Sequence, residues 1–284
     1  MSADIASDIR IWHTSQAIKG LILLCGLVLL YWPALWKLGH AWNIKPQSSH
    51  GYLVIPLSLW LCWRNRSRWD GIQKGGSYLG FFLLVPGLLL YTGALLAAAD
   101  TLANISLMLS LGGLIICAFG AGVFRAYLFP YVFLIFMFPI PDAVYVSVTH
   151  PLKLLVSSVS SELLQAIGIP TYLEGNILRS ANFSMKVVEA CSGMRSVVAY
   201  LMLGTLLSYF LAGKIWKKGL LVFSAVPIAF FSNVLRITGT GVVSDWFGKR
   251  ATEGLLHEFS GLIAFGVGFF VMYGFYCLLC LWKR

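Results

Sequence analysis

Eight apolar runs, each separated from the next by a polar stretch, constrain this chain more than any other feature. They fall at roughly residues 18–36, 50–63, 78–97, 101–122, 126–140, 192–212, 219–240 and 258–282. A bilayer core of about 30 Å requires about 20 apolar residues in one helix, so each run predicts a membrane span. The second and fifth runs are the shortest, and the second contains Pro56. Charge supports the same reading. Only 11% of the 284 residues are charged, against roughly 25% in an ordinary soluble domain. That excludes a soluble globular enzyme, a disordered tail and a nucleic-acid-binding domain. The first run is too long for a cleavable signal peptide, and Trp32, Pro33 and Trp36 stand where small residues mark a cleavage site.

The net charge of +10 orients the spans, because cytoplasmic loops concentrate Lys and Arg. With the N-terminus inside, the inner segments hold 12 basic and 3 acidic residues, and the outer segments hold 9 and 8. Both termini are therefore expected in the cytoplasm. The fold expected is an all-α polytopic membrane protein of about eight transmembrane helices, one domain over 1–284.

The long polar excursion, 141–190, lies between spans five and six on the outer side. Val144, Val148, Leu152, Leu155, Val159, Leu163 and Ile167 recur at three- and four-residue spacing, which predicts an amphipathic helix over 143–168 at the outer interface. After Gly168-Ile169-Pro170 the pattern turns to short strands at Thr171–Leu173, Ile177–Arg179 and Phe183–Val188. This β-hairpin-like flap runs directly into Glu189-Ala190-Cys191.

Five of the six cysteines lie in spans or at an inner end, where cysteine acts as a small apolar residue. Cys277-Leu-Leu-Cys280 is read this way despite its spacing. Cys191 differs, standing at the outer start of span six, where a helix N-terminus and nearby Arg195 favour a thiolate. Arg236 lies about 17 residues after Gly219, roughly 26 Å along a helix, which carries it close to the outer interface in an apolar setting. His257 stands at the outer mouth of span eight. Each has a plainer reading: an inert cysteine, a snorkelling arginine, an interfacial histidine capped by Glu258. Together, three spans bring a thiol, a guanidinium and an imidazole to one membrane depth, as a thiol acyl-transfer site requires. His50, opening span two on the outer side, either lines that site or holds structure. His150, His13 and His40 carry no pattern. Metal-ligand carboxylate pairs and HExxH, P-loop and GxSxG motifs are absent from the sequence, so no metal and no cofactor is expected.

Glu189-Ala-Cys191-Ser-Gly-Met-Arg195-Ser196, Asn233-Val-Leu-Arg236-Ile237 and His257-Glu-Phe-Ser-Gly261, in that order, resemble the signature segments of the exosortases and archaeosortases. Ser49-His50-Gly51-Tyr52-Leu53-Val54-Ile55-Pro56 and Phe138-Pro139-Ile140-Pro141 look similar too, so the resemblance runs from about residue 48 onward. It implies a membrane-embedded cysteine protease or transpeptidase in a bacterial inner membrane, with its site on the extracytoplasmic side. Its partners would be membrane-anchored proteins with a C-terminal signal of Pro-Glu-Pro, a membrane helix and a basic cluster. Carried over by position, Cys191 is the nucleophile, Arg236 the oxyanion or thiolate stabiliser and His257 the general acid/base. Glu189 and Arg195 either orient substrate or pair with each other. No soluble domain of the kind fused in some relatives is expected after span eight. Two other readings stand beside this one: a polytopic transporter of an anionic solute, and a membrane acyltransferase using Cys191.

Overall fold

The computed structural model describes residues 20–70, 72, 75–187, 194–248 and 255–282, with the backbone alone at residues 46, 70 and 255–258. Its contacts divide the chain into two units, Met1–Pro139 and Ile140–Arg284.

In the first unit the opening apolar run forms two helices, α1 (Gly20–Leu30) and α2 (Trp32–Ile44), bent by 70°. Pro33 has no N–H for the carbonyl four residues back, which ends α1 and suits the first turn of α2. Tyr31 at the break is fully buried. Its hydroxyl shares a 2.8 Å hydrogen bond with Ser110 Oγ, and its ring lies 4.1 Å from that of Tyr91. Helices α3 (Gly51–Arg64) and α4 (Ser67–Asp70) follow. Next, α5 (Phe81–Leu96) and α6 (Asp100–Phe119) pack together along their lengths. The fifth run is broken into α7 (Ala121–Ala126), α8 (Leu128–Phe133) and a 3-10 turn at Leu134–Met137.

The second unit begins with α9 (Asp142–Ala166), close to the 143–168 helix expected. Its packed face carries Tyr145, Thr149, Val156, Ser160 and Leu164, whereas Val144, Val148, Leu155 and Leu163 are exposed. Small serines let helices approach closely, and the apolar stripe is left on the outside, as a lipid-facing side requires. The flap is a three-stranded antiparallel meander, β1 (Tyr172–Glu174), β2 (Ile177–Arg179) and β3 (Ser184–Lys186), in the order β1-β2-β3. Leu173, Leu178 and Met185 stand opposite one another. Leu178, Phe183, Met185 and Val187 are buried in one cluster with Val156 and Leu164 of α9 and with Val234 and Ile237 of the helix α11 (Ile215–Phe247).

Helices α10 (Met194–Phe210), α11 and α12 (Leu255–Leu281) complete this unit. Its 33 residues make α11 roughly 50 Å long at 1.5 Å per residue, well beyond a 30 Å core and beyond the 219–240 run read from hydropathy. Each extension is held by a contact. Near the start, buried Lys217 donates from Nζ to the Trp282 carbonyl. Near the end, Asn182 of the flap donates to the Asp245 carboxylate at 2.9 Å. In the middle, Ser232 donates to the Ala264 carbonyl at 2.6 Å, and the Tyr200 hydroxyl donates to that of Phe265 at 2.9 Å. A Cβ at residue 268 would collide with that hydroxyl, so glycine leaves the room the Tyr200 hydroxyl occupies.

Four described helices, Tyr78–Leu96, Asp100–Phe119, Ile215–Phe247 and Phe259–Leu281, are long and apolar enough to cross a membrane. The number rises to six if Gly20–Leu30 with Trp32–Ile44, and Leu128–Met137 with Asp142–Ala166, each count as one broken span. The protein is thus a helical, multi-pass membrane protein with a small sheet, and the expected eight spans are a finer count than these helices carry. The difference comes from α3, with 14 residues, from α10, with 17, and from the two broken runs.

Candidate active site

Arg236 sits on α11 at the level where the flap is built on that helix. Its neighbours Val234 and Ile237 belong to the flap's buried cluster, so the rotation of α11 is fixed on one side by β-sheet packing. On the other side α12 fixes it through Ser232, one turn below Arg236, and the Ala264 carbonyl. The Arg236 backbone carbonyl accepts a 2.8 Å hydrogen bond from Thr240 Oγ1.

The guanidinium lies against Gly261 of α12. A Cβ on Gly261 would stand 3.1 Å from both Cζ and Nη2 of Arg236 and 3.4 Å from Nε. The glycine therefore provides a flat seat for the planar cation. Position 257 is four residues earlier on the same helix, so it shares Gly261's face one turn away. Two of the three candidate residues are thus carried by one helix pair, with α12 at residue 257 described as backbone. Cys191 and Glu189 lie outside the described residues. Described helix α10 begins at Met194, three residues after Cys191, and Arg195 is exposed in its first turn.

A cavity of about 360 Å³ opens beside Arg236 between α11 and α12, walled mainly by Leu235, Gly239, Thr240, Ser260 and Ile263. Its lining is almost entirely apolar, with the guanidinium as the charged group. Such a pocket accepts an apolar segment on one side of a fixed cation.

His50 belongs to the first unit and is engaged there. One of its ring nitrogens, Nε2, is 2.9 Å from the Phe136 carbonyl. Beside it, Trp42 Nε1 donates to the Met137 carbonyl at 2.8 Å. These bonds draw the Ser49–Pro56 segment and the chain just before Phe138-Pro139 together, which gives His50 a fold-holding task.

Hydropathy passes over Tyr200, Ser232 and Gly268, which lock α10, α11 and α12 at one level. A tyrosine hydroxyl and a serine inside apolar runs were the available signal, since polar groups in a membrane need partners.

With these positions in view, comparison with protein families has a direct meaning. Residues 42–274 match the family model described as Transmembrane exosortase (Exosortase_EpsH). The chain belongs to the transmembrane exosortase family. Searches of curated proteins and of solved structures found no match. The matched range takes in all five segments quoted above and parts of both units, so the exosortase resemblance is a property of most of the chain. Membership makes the protein a membrane-embedded member of a cysteine-type sorting transpeptidase family, whose substrates are proteins bearing a sorting signal.

The seat at Gly261 gives a direct test in this exosortase. Gly261→Ala pushes the guanidinium by a few tenths of an ångström while adding a residue with better helix propensity. We expect processing of a signal-bearing substrate to fall by about tenfold, since displacement of about 1 Å in an active site costs about a hundredfold. Quantitative immunoblotting of precursor and product at equal enzyme abundance measures this. Wild-type processing would show that the contact has no bearing on activity.

Proposed function

We propose that this chain cleaves the C-terminal Pro-Glu-Pro-type sorting signal of membrane-anchored secreted proteins through an acyl-thioester on Cys191. The observation that carries the reading is the seating of Arg236 against Gly261, one helical turn from position 257, within a chain of the exosortase family. Substrate enters laterally, so that the scissile bond just outside the bilayer meets the site at matching depth. The thiolate of Cys191 attacks the peptide carbonyl and forms a C–S bond. Arg236, with a charged fork of donors, stabilises the oxyanion. His257, an imidazole that ordinarily titrates near neutrality, protonates the leaving amine as the C–N bond breaks. It then takes a proton from the incoming water or amine, and the acyl group leaves the sulfur. Glu189 and Arg195 orient the bound signal.

The reading includes eight spans in one integral membrane domain, both termini in the cytoplasm of a bacterium, and the 141–190 flap covering the site from outside. A membrane-impermeant thiol reagent tests side and chemistry together. Labelling from outside is expected at Cys191, since the five described cysteines lie in or beside predicted helical spans, and it should stop processing in proportion to occupancy. Full processing by a completely labelled protein would overturn the thiol mechanism, whereas labelling of Cys191 in a protein that processes no signal-bearing substrate at all would favour the anionic-solute transporter.

A further inference from the structure

The flap ends in an open strand edge. In the β2–β3 ladder, Val187 N–H donates to the Asn176 carbonyl and Ser180 N–H to the Phe183 carbonyl, each at 2.8 Å. With Leu178 opposite Met185, residues 183, 185 and 187 therefore direct their backbone groups at β2. An antiparallel ladder alternates these directions, so the N–H and C=O groups of Ser184 and Lys186 point to the other side. Among the described residues, β2 is the one strand paired with β3, and Ser184 and Lys186 are both exposed. Phe183, Met185 and Val187 are buried beneath them, which fixes the edge against movement. Natural edge strands are usually twisted, covered or blocked, because a free row of donors and acceptors recruits another strand.

Charge selects what that strand is. On the outer face of the sheet Arg179 is paired with Glu174 at 3.0 Å, whereas Lys186 has no ion pair among the described residues. Lys186 also precedes Cys191 by only five residues, so the covalent chain keeps the edge within about 17 Å of the sulfur.

We propose that the substrate's sorting signal adds to β3 as a fourth antiparallel strand, with an acidic residue opposite Lys186. This rests on the reading above that the signal contains Pro-Glu-Pro, and it assigns each residue of that motif a reason. The Glu N–H and C=O pair with Lys186, and its carboxylate lies beside the lysine on the same face. The two prolines, one residue to either side, direct their nitrogens away from β3. A missing N–H is harmless there, which is the one arrangement in which proline joins a sheet at its margin. Strand addition supplies main-chain affinity, and the alternate side chain supplies selection.

Charge exchange and crosslinking test this. Lys186→Glu should raise KM about tenfold with kcat nearly unchanged, from the swing between attractive and like-charge cross-strand pairs. A substrate whose motif glutamate is changed to lysine should recover most of that loss with the Lys186→Glu enzyme and lose a similar factor with the wild type. Ser184→Pro, which removes an outward N–H and leaves the β2 ladder whole, should also raise KM. Independently of turnover, Lys186→Cys in a Cys191→Ala background should form a disulfide with a substrate bearing cysteine in place of the motif glutamate. Tyr172→Cys, on the opposite edge, should not. Equal crosslinking from both edges, or no charge-swap recovery in an enzyme that processes normally, overturns strand addition and leaves the thiol mechanism standing. Processing by Cys191→Ala overturns the mechanism, and the crosslink pattern still decides the docking.

Discussion

Cys191→Ala is expected to leave a signal-bearing precursor uncleaved, with a rate loss on the order of 10⁴-fold or more, as when the nucleophile of an acyl-transfer unit is removed. The enzyme should remain membrane-inserted at normal abundance, because the substitution removes a single sulfur atom. Cys191→Ser sharpens the result. Serine is close in size but ionises far less readily, and a site arranged around a thiolate is not aligned to take the hydroxyl proton during attack, as a Ser–His pair must be. If Cys191 only packed, serine would restore processing. If it attacks, serine should be nearly as inactive as alanine. Pulse-chase of a tagged substrate in cells carrying each variant reads both. An acid-stable, thiol-labile adduct between enzyme and substrate in the wild type, absent from both variants, would identify the thioester directly. Conversion of precursor to product at the wild-type rate in Cys191→Ala would end the thiol mechanism.

Much of the architecture was legible from local pattern, and the exceptions have local causes. The strand at Ile177–Arg179 and the helix over 143–168 appear where periodicity and turn residues put them. The first apolar run reads as one span because hydropathy averages over Tyr31-Trp32-Pro33, whereas the backbone must break where proline lacks a donor. The length of α11 was hidden for the opposite reason. Thr240, Ser244 and Asp245 lower hydropathy beyond residue 240, yet hydroxyls bonded back to the carbonyls of Arg236 and Thr240 and the Asn182 contact keep those turns helical. On α9 the apolar stripe was correctly found, but its direction was not deducible from spacing. In lipid an apolar face has no need to be inward, and the serine face packs instead.

The site was legible to a different degree. Arg236 was singled out because an arginine in an apolar run needs a reason, and Gly261 was visible as part of a motif. That these two touch is a tertiary fact: α11 and α12 meet where Ser232 donates to the Ala264 carbonyl, and a serine in an apolar run shows the need for a partner but not which partner. Likewise His50 reads in sequence as either lining the site or holding structure, and its bond to the Phe136 carbonyl shows what it holds.

The contact between Arg236 and Gly261 leads to the sharpest prediction about chemistry. Arg236→Lys keeps one positive charge, so any role that needs charge alone, such as snorkelling or general attraction of an anion, should survive it. The lysine ammonium is a point charge on a narrower stem. It cannot lie flat on Gly261, and it cannot aim two coplanar donors at one oxygen. If Arg236 stabilises a tetrahedral oxyanion, Arg236→Lys should lower kcat by about 10²- to 10³-fold, the usual cost of losing a positioned oxyanion donor, with a small change in KM. Arg236→Ala should be worse still, at unchanged abundance, since removing a half-buried cation from an apolar wall carries little folding penalty. Combining Arg236→Lys with Gly261→Ala separates seat from occupant. In the lysine background the added methyl has no guanidinium to displace, so the alanine substitution should have almost no further effect. Residues in contact fail additivity in this way, whereas independent ones multiply. Multiplied losses would mean that Gly261 acts on something other than Arg236, and near-normal turnover by Arg236→Lys would mean that charge, not geometry, is what the site requires.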